Sequence, residues 1–221
     1  MVILEARSVS YSYQTKYQTV YAVNDITAQF EQGKFYAIMG SSGSGKTTLL
    51  SLLAGLDLPK SGEIVFDNTP TSKLNRDDYR KNHVSVIYQN FNLFSHLTVL
   101  ENAAYQLYAQ HKSRSESDSA ARDKLLEIGL KEEQFSRFPR MLSGGEQQRV
   151  AIARAICAGS EIILADEPTG NLDKTNGAKI VEILSELVHN DNRCVIVVTH
   201  DPSVAEHADM VFKMQDGSFI D

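Results

Sequence analysis

The sequence is poor in cysteine and in basic residues. Only two of its 221 residues are cysteine. Cys157 and Cys194 lack the spacing of metal ligands, so we expect two small buried side chains in a reduced, cytoplasmic protein. Acidic residues number 28 against 22 basic ones, which gives a net charge of −6. An acidic chain lacks the positive field that coats nucleic acid, although it is compatible with a single basic pocket. We therefore expect no nucleic-acid partner.

Long apolar runs are also absent. The longest candidates, around Ile162 and Val195, have the length of strands and fall well short of the roughly 18 residues that cross a bilayer. The first residues, MVILEARSVSYSY, lack the basic start and the apolar middle of a secretory signal. We therefore expect a protein that is soluble in the cytoplasm.

Short apolar runs alternate with segments of helical period along the chain. We predict strands near Leu4–Val9, Phe35–Met39, Glu63–Phe66, Val84–Tyr88, Ile162–Ala165, Val195–Thr199 and Met210–Met214. We predict helices near Lys46–Ala54, Val99–Gln110, Asp118–Ile128, Glu146–Ala158 and Lys174–Asn190. This alternation, with strands that are apolar almost throughout, favours an α/β fold whose mostly parallel sheet is covered by helices on both faces.

The segment between Tyr88 and Ile162 breaks that alternation. It has helical patterns but no convincing strand, so we predict a helical subdomain inserted between strands of the sheet. Within it, the serine-rich stretch 111–120 (HKSRSESDSA) is polar. We expect a solvated loop or the start of a helix there, and not a regulatory site.

A glycine-rich stretch follows the strand predicted at Phe35–Met39. It fits the pattern G-x-x-x-x-G-K-[ST] through Gly40, Ser41, Ser42, Gly43, Ser44, Gly45, Lys46 and Thr47, with Thr48 next to it. A loop that wraps a polyphosphate points successive N–H groups inward, and glycine reaches the necessary conformations at low cost. The following helix adds the positive end of its dipole. The pattern predicts that Lys46 meets the outer phosphates of a nucleotide and that Thr47 offers its hydroxyl to Mg²⁺.

Two carboxylates follow the apolar run IILA. Asp166 and Glu167 would lie at the carboxyl edge of the sheet, where ligands of open α/β sheets bind. There Asp166 can hold Mg²⁺ through its water shell. Glu167 can polarise a water molecule for attack on a terminal phosphate. An acidic pair alone is weak evidence, but beside the glycine-rich loop it predicts the second half of a nucleotide site.

A third motif, LSGGEQQR at 142–149, separates this chain from most nucleotide-binding proteins. Together with the two motifs above and with Gln89, Asp173 and His200, it resembles the ATP-binding-cassette (ABC) family over essentially the whole chain. The resemblance implies one ABC ATPase domain, 1–221, with ATP and Mg²⁺ as cofactors. It implies a P-loop NTPase core (1–88 and 161–221) with a mostly parallel sheet, an antiparallel β part near the N-terminus and an inserted helical subdomain (about 89–160).

The resemblance also implies a homodimer that sandwiches two ATP molecules. In the family, two chains pair head to tail, and the signature motif of one closes over the ATP held by the other. The signature residues are Ser143, Gly144, Gly145 and Glu146. Asp173 resembles the loop aspartate that works across the dimer interface. From the residues alone, Ser143 would simply cap the following helix and Asp173 would be a turn or cap residue.

The remaining site residues also follow from the resemblance. Gln89 resembles the glutamine that touches Mg²⁺ and senses the transport partner. His200 resembles the switch histidine that contacts the terminal phosphate, which makes it a candidate catalytic residue beside Glu167. Tyr13 is predicted to stack on the adenine, because a base needs only a flat face. Tyr11 is close enough in the sequence to compete for that role.

The stretch FNLFSHLTVLEN and the short overall length resemble the family branch that includes lipoprotein-releasing systems and exporters of macrolides and antimicrobial peptides. That branch implies a motor subunit on the inner face of the cell membrane, bound to an integral membrane permease and in some systems joined by an extracytoplasmic accessory protein. The alternative resembles the ATPase of the cell-division complex, which signals through a membrane partner without transport. A nucleic-acid-linked cassette is disfavoured because coiled-coil arms, zinc sites and a second cassette are missing. A binding module without catalysis is disfavoured because Glu167 and His200 are both present.

Overall fold

The computed structural model describes residues 1–220, which form two β-sheets and seven α-helices. The strands are β1 (Val2–Gln14), β2 (Thr19–Glu31), β3 (Phe35–Met39), β4 (Ser61–Phe66), β5 (Thr69–Pro70), β6 (Val84–Ile87), β7 (Ile162–Asp166), β8 (Cys194–Thr199), β9 (Met210–Gln215) and β10 (Ser218–Ile220). The helices are α1 (Lys46–Leu53), α2 (Arg76–Asn82), α3 (Val99–Ala109), α4 (Arg114–Glu127), α5 (Gly144–Cys157), α6 (Lys174–Asp191) and α7 (Pro202–Ala205).

The first sheet is antiparallel and has the order β2-β1-β4-β5. Its two long strands, β1 and β2, form a hairpin in which one face is buried and the other faces solvent. In β2 the buried positions are Val23, Ile26, Ala28 and Phe30, and the residues between them are exposed. This alternation is typical of an antiparallel sheet that covers a core with one face only.

The second sheet has the order β10-β9-β3-β8-β7-β6, and it is parallel except for the edge pair β9–β10. Its central strands are apolar throughout because each of their faces is covered by a different core. In β7, for example, Ile162 and Leu164 belong to the core shared with the antiparallel sheet and α1. Ile163 and Ala165 belong to the core formed with α3 to α6. Successive side chains of a strand point to opposite faces, so a doubly covered strand shows no polar alternation.

The structure confirms the predicted α/β class and each predicted strand and helix, with boundaries that differ by a few residues. Between β6 and β7 the chain forms α3, α4, α5 and two short 3₁₀ turns, both of which lie between α4 and α5, and no strand. The elements that the sequence analysis did not predict are β2, β5, β10, α2 and α7. Apart from β2, these are short, and short segments carry too few positions to display a period.

Two predicted helix starts are wrong. The helix expected from Asp118 begins at Arg114, because Ser113 and Glu116 form a reciprocal capping box at its N-terminus. The helix expected from Glu146 begins at Gly144, so both glycines of the signature lie in its first turn. In each case a capping serine decides the start, ahead of the first apolar residue of the helix.

Both cysteines are free: Cys194 is buried, and Cys157 is partly exposed. The expected burial is therefore confirmed for Cys194 and not for Cys157. Desolvation raises the pKa of each thiol to about 12, which disfavours the reactive thiolate. Among residues 1–220, none of the helices combines the length and the hydrophobicity needed to span a bilayer.

Candidate nucleotide-binding site

A cavity of about 660 Å³ lies beside the carboxyl ends of β3, β7 and β8. This is the edge at which an open parallel sheet binds ligands. The cavity is lined by Tyr13, Val20, Tyr21, Ala22, Ser41, Ser42, Gly43, Gly45, Lys46, Thr47, Thr48, Gln89, Asp166, Glu167 and His200. Most of the residues predicted to bind nucleotide therefore meet in one place, although they come from distant parts of the chain.

The glycine-rich loop connects β3 to α1 and forms one wall of this cavity. Gly45 adopts φ +103°, and a Cβ atom there would lie 2.0 Å from the carbonyl oxygen of Ala22 in β2. Only glycine avoids both the strained φ and this clash. Gly40 and Ser44 are outside the cavity lining but shape the loop, since the amide of Gly40 donates to the carbonyl of Thr199 and that of Ser44 donates to Ser41.

The ammonium group of Lys46 is folded back onto its own loop. Its Nζ donates to the carbonyl oxygens of Gly40 at 2.7 Å and Ser41 at 2.9 Å. It also lies 3.9 Å from Oε1 of Glu167, and the lysine side chain is only 7% exposed. A buried charge needs such partners. Phosphate oxygens of a nucleotide can replace the two carbonyls without moving the lysine out of the cavity.

Thr47 and Asp166 bring two hard oxygen groups together on the cavity wall. The hydroxyl of Thr47 donates to Oδ1 of Asp166 at 3.1 Å, and Gln89 lines the same cavity. Burial raises the pKa of Asp166 above its usual value, against the hydrogen bond from Thr47, which lowers it. Within residues 1–220 no cluster of three or more His, Cys, Asp or Glu side chains could hold a metal alone. This donor set fits Mg²⁺, which takes few protein ligands and completes its shell with water and phosphate oxygens.

Glu167 follows β7 in a left-handed conformation, with φ +45°. Its Oε2 accepts hydrogen bonds from the hydroxyl of Thr199 at 2.9 Å and from the amide of His200 at 3.4 Å. Its Oε1 lies 3.0 Å from Nδ1 of His200. A positive φ is unfavourable for a residue with a long side chain, and such strain concentrates at functional sites. The 3.0 Å contact also shows that the side chains of the two candidate catalytic residues, Glu167 and His200, touch each other.

The two tyrosines near the N-terminus occupy different environments. Tyr13 lines the cavity, is 46% exposed and shares a hydrogen bond of 3.2 Å with the hydroxyl of Thr48. Tyr11 packs against the core between the sheets and lies outside the cavity lining. Burial raises the pKa of its phenol. Of the two rings, only that of Tyr13 has a face available to a ligand in the cavity.

The signature motif lies apart from this cavity, at the N-terminus of α5, where Ser143 is exposed, Gly144 is partly buried and Gly145 is buried. The hydroxyl of Ser143 accepts from the amide of Glu146 at 3.4 Å, and the Glu146 carboxylate accepts from the amide of Ser143 at 2.7 Å. Burial acts to raise the pKa of Glu146, but hydrogen bonds from Ser143 and Gln134 outweigh it and hold the pKa below its usual value. Ser143 is thus a helix cap in this structure, and the turn also presents free N–H groups beside a positive helix end.

Asp173 likewise caps a helix and lies outside the cavity. Its carboxylate accepts from the amide of Asn176 at 3.0 Å at the start of α6. The sequence analysis missed three residues that do line the cavity, Val20, Tyr21 and Ala22. All three belong to the first part of β2, and the pairing of Tyr13 with Val20 places them beside Tyr13. The polar and apolar alternation from Ile26 to Glu31 signals the strand, but Val20 to Ala22 are consecutive apolar residues, so only the pairing with β1 places them at the cavity.

Comparison with known proteins identifies the family. The model of the ABC transporter family matches residues 23–170, which include the glycine-rich loop, the signature and the acidic pair. The chain is an ABC transporter ATP-binding domain. It therefore binds ATP, and it is an ATPase of the cassette type.

This ATP-binding domain is similar to proteins of bacteria and archaea. It is 41% identical to the uncharacterized ABC transporter ATP-binding protein YclH of Bacillus subtilis, covering 99% of this chain and 96% of that protein. It is 40% identical to the macrolide export ATP-binding/permease protein MacB of Mannheimia succiniciproducens, but it spans only 34% of that longer protein. The dimeric cassette MJ0796 bound to ADP and Pi matches the fold with a TM-score of 0.93 at 36% identity, covering 99% of this chain and 97% of that one; MJ0796 comes from Methanocaldococcus jannaschii.

Proposed function

We propose that this ATP-binding domain is the motor subunit of a membrane export system of the macrolide, antimicrobial-peptide or lipoprotein type. Its export branch is supported by the similarity to MacB, and its shared dimeric site is supported by the separation of the two phosphate-binding elements. The cavity holds the only lysine of the glycine-rich loop and both acidic residues, and it is open to solvent on one side. The signature turn lies outside the cavity, and its first residue, Ser143, is exposed to solvent. One chain therefore has all the parts of a site but cannot bring them together.

A head-to-tail homodimer resolves this separation. In it, the Ser143 hydroxyl and the amides of Gly144 and Gly145 would cover the terminal phosphate of the ATP held by the partner chain, and Asp173 would lie at the interface between them. The similar cassette MJ0796 is dimeric with ADP and Pi bound, which supports this arrangement. ATP would then join two chains, and hydrolysis would release them.

Within each site we assign the following roles. The loop amides and Lys46 bind the phosphates, and Tyr13 stacks on the base. Glu167 orients the attacking water and accepts its proton, and His200 contacts the terminal phosphate. The reaction breaks the bond between the β- and γ-phosphates and adds water to the released phosphoryl group, giving ADP and phosphate. Thr47, Asp166 and Gln89 are the residues that would hold Mg²⁺, which supplies neutralisation of the phosphate charge.

A groove between the helical segment and the core is the proposed contact with the permease. It measures about 390 Å³ and is lined by residues that include Arg80, Phe94, Tyr105 and Arg154. The rings of Phe94 and Tyr105 lie 4.3 Å apart, and both are about 40% exposed. The guanidinium of Arg154 lies 5.7 Å above the ring of Phe94. An exposed aromatic pair flanked by two arginines suits a short amphipathic helix with an acidic residue, and in MacB a cassette and a permease are parts of one protein.

The proposal is tested by isolating the partner. A tagged chain is purified from detergent-solubilised membranes, the bound membrane protein is identified, and the complex is placed in lipid vesicles. We expect ATP-dependent movement of a solute, peptide or lipoprotein across or out of the bilayer. If the complete complex hydrolyses ATP in response to its partner but moves none of these, the export function is wrong and the signalling alternative is favoured.

The groove is tested in the same preparation. Changing Phe94 and Tyr105 to alanine should abolish co-purification and leave the ATP affinity of the isolated chain unchanged. Leu126 on α4 is equally exposed but lies outside the groove, so Leu126→Ala is the matched control. Retained co-purification of the double variant would refute the docking site.

A further inference from the structure

Glu167 is held by a buried hydroxyl to which no motif assigned a role. Thr199, the last residue of β8, is completely buried, and its hydroxyl donates to Oε2 of Glu167 at 2.9 Å. A buried polar side chain at the end of an otherwise apolar strand is costly unless its hydrogen bonds are made. Here the hydroxyl makes two, and both belong to the same chain of contacts.

The direction of these hydrogen bonds is fixed by the groups involved. The amide of Asp201 contacts the Thr199 oxygen at 3.0 Å. Since an amide can only donate, the Thr199 oxygen accepts this bond, and its own hydrogen is free for Glu167. The carboxylate can only accept. The hydroxyl therefore has one orientation, with its proton directed at Oε2.

Asp201, whose amide donates to the Thr199 hydroxyl, is itself held in place by its side chain. The carboxylate of Asp201 accepts from the amide and hydroxyl of Ser203, at 3.0 and 2.8 Å, at the start of α7. Its other oxygen accepts from the hydroxyl of Thr169 at 3.2 Å. Thr169 lies two residues after Glu167. The contacts therefore form a closed ring, Glu167–Thr199–Asp201–Thr169, which ties the turn after β7 to the turn after β8.

The two carboxylate oxygens of Glu167 have different partners. Oε2 accepts hydrogen bonds from the hydroxyl of Thr199, which does not line the cavity, and from the amide of His200. Oε1 faces the cavity, where Lys46 lies at 3.9 Å and Nδ1 of His200 at 3.0 Å. These partners of Oε1 are side chains that can exchange for a ligand. One oxygen is anchored, and the other is available.

We propose that Thr199 is a positioning residue for hydrolysis: its hydroxyl anchors Oε2 of Glu167 so that Oε1 points at the attacking water. The inference rests on the role proposed above for Glu167. Without the hydroxyl, the carboxylate can rotate about its terminal torsion, which has a broad energy profile. The positive φ of Glu167 constrains its backbone and would not by itself restore the orientation of the carboxylate. ATP binding should be unaffected, because Thr199 does not line the cavity.

The test compares Thr199→Val, which keeps the side-chain shape and removes the hydroxyl, with Thr199→Ser, which keeps the hydroxyl. Hydrogen bonds to charged groups of this kind correspond to a change of roughly tenfold to hundredfold. We expect Thr199→Val to lower kcat by that factor while KM for ATP changes less than about twofold, and Thr199→Ser to recover most of the loss. Thr71, also buried but outside the cavity lining, provides the matched control Thr71→Val, which should retain wild-type kcat.

Glu167→Gln distinguishes the failure of this inference from the failure of the role of Glu167. If Thr199 acts through Glu167, adding Thr199→Val to Glu167→Gln should cause no further loss of kcat, since the two losses are not additive. A full additional loss, or wild-type turnover by Thr199→Val, overturns the inference. Equal loss in Thr199→Ser and Thr199→Val overturns it also, because the hydroxyl would then not matter. Wild-type turnover by Glu167→Gln overturns the role of Glu167 itself.

Discussion

The amide of Gly217 donates a hydrogen bond to the carbonyl oxygen of Ser44 at 3.0 Å. The carbonyl of Gly217 in turn accepts from the amide of Asn24 in β2 at 2.8 Å. The turn between β9 and β10 thus joins the glycine-rich loop to the antiparallel sheet. The loop that is proposed to bind phosphate is therefore held by segments far apart in the sequence, and the Cβ position of Gly45 lies against Ala22 of β2 and Met214 of β9.

Gly45→Ala should destabilise the loop and weaken ATP binding. The new Cβ would meet the carbonyl of Ala22 at 2.0 Å in addition to adopting a positive φ. We expect the free energy of unfolding to fall by more than the roughly 1–2 kcal/mol that a left-handed conformation costs alone. Gly129 has a similar φ, +81°, with open space around its Cβ position, so Gly129→Ala measures the conformational cost without a clash. If urea denaturation shows that both variants lose the same free energy of unfolding, the contact of Gly45 with Ala22 does not constrain the loop.

Lys46→Ala should weaken ATP binding itself. The variant loses the charge that phosphate oxygens would contact, and charge-assisted hydrogen bonds of this kind correspond to roughly tenfold to hundredfold in affinity. Calorimetric titration with ATP measures this affinity directly. Lys34 is a surface residue paired with Asp209, and Lys34→Ala should leave the affinity unchanged. An undiminished affinity in Lys46→Ala would contradict the assigned role.

Tyr13→Ala and Tyr11→Ala should separate base stacking from core packing. Tyr13 lines the cavity, and stacking on a base contributes about 1–3 kcal/mol. We therefore expect Tyr13→Ala to weaken ATP binding roughly fivefold to hundredfold, with little change in melting temperature. Tyr11 packs on the core, and its removal should lower the melting temperature and leave affinity nearly unchanged. The opposite pattern in titration and thermal melting would assign the base to Tyr11.

Glu167→Gln should trap the dimer. The amide has nearly the shape of the carboxylate but cannot accept the proton of the attacking water, and loss of a general base costs roughly a hundredfold or more in turnover. Binding of ATP does not need that step. We expect light scattering to detect a dimer at saturating ATP and Mg²⁺, and Glu161→Gln, which alters a carboxylate paired with His83, to behave as wild type. A Glu167→Gln variant that stays monomeric under these conditions would contradict the shared site.

Ser143→Arg should block dimer formation and leave ATP binding by the monomer intact. The arginine would place a bulky side chain on the surface that is proposed to cover the partner's nucleotide. It also removes a helix cap, which costs about 1 kcal/mol of stability. Ser113 forms the same kind of capping box at the start of α4, so Ser113→Arg isolates that cost. If both variants dimerise equally well, or if Ser143→Arg loses ATP binding, the signature only supports its own helix.

The nucleotide-binding elements could be predicted because their chemistry is local. Gly40 to Thr47 are contiguous, and the strand before them and the helix after them are visible in the apolar pattern, so the wall of the cavity is encoded in one short segment. Asp166 and Glu167 follow a strand whose two faces are both buried, and this leaves a continuous apolar run in the sequence. The resemblance to the ABC family extended these local motifs to Gln89, Ser143, Asp173 and His200.

The contacts that complete the site depend on long-range pairing, which no local pattern reports. The register of β1 with β2 places Val20 beside Tyr13, and the parallel pairing of β7 with β8 places Thr199 beside Glu167. The sequence alone, through its local motifs and their resemblance to the ABC family, determined that this chain binds and hydrolyses ATP. Folding decided which oxygen of Glu167 is held, which tyrosine faces the cavity and that the signature lies outside it, because hydrogen bonds and burial between distant segments exist only after the sheets have formed.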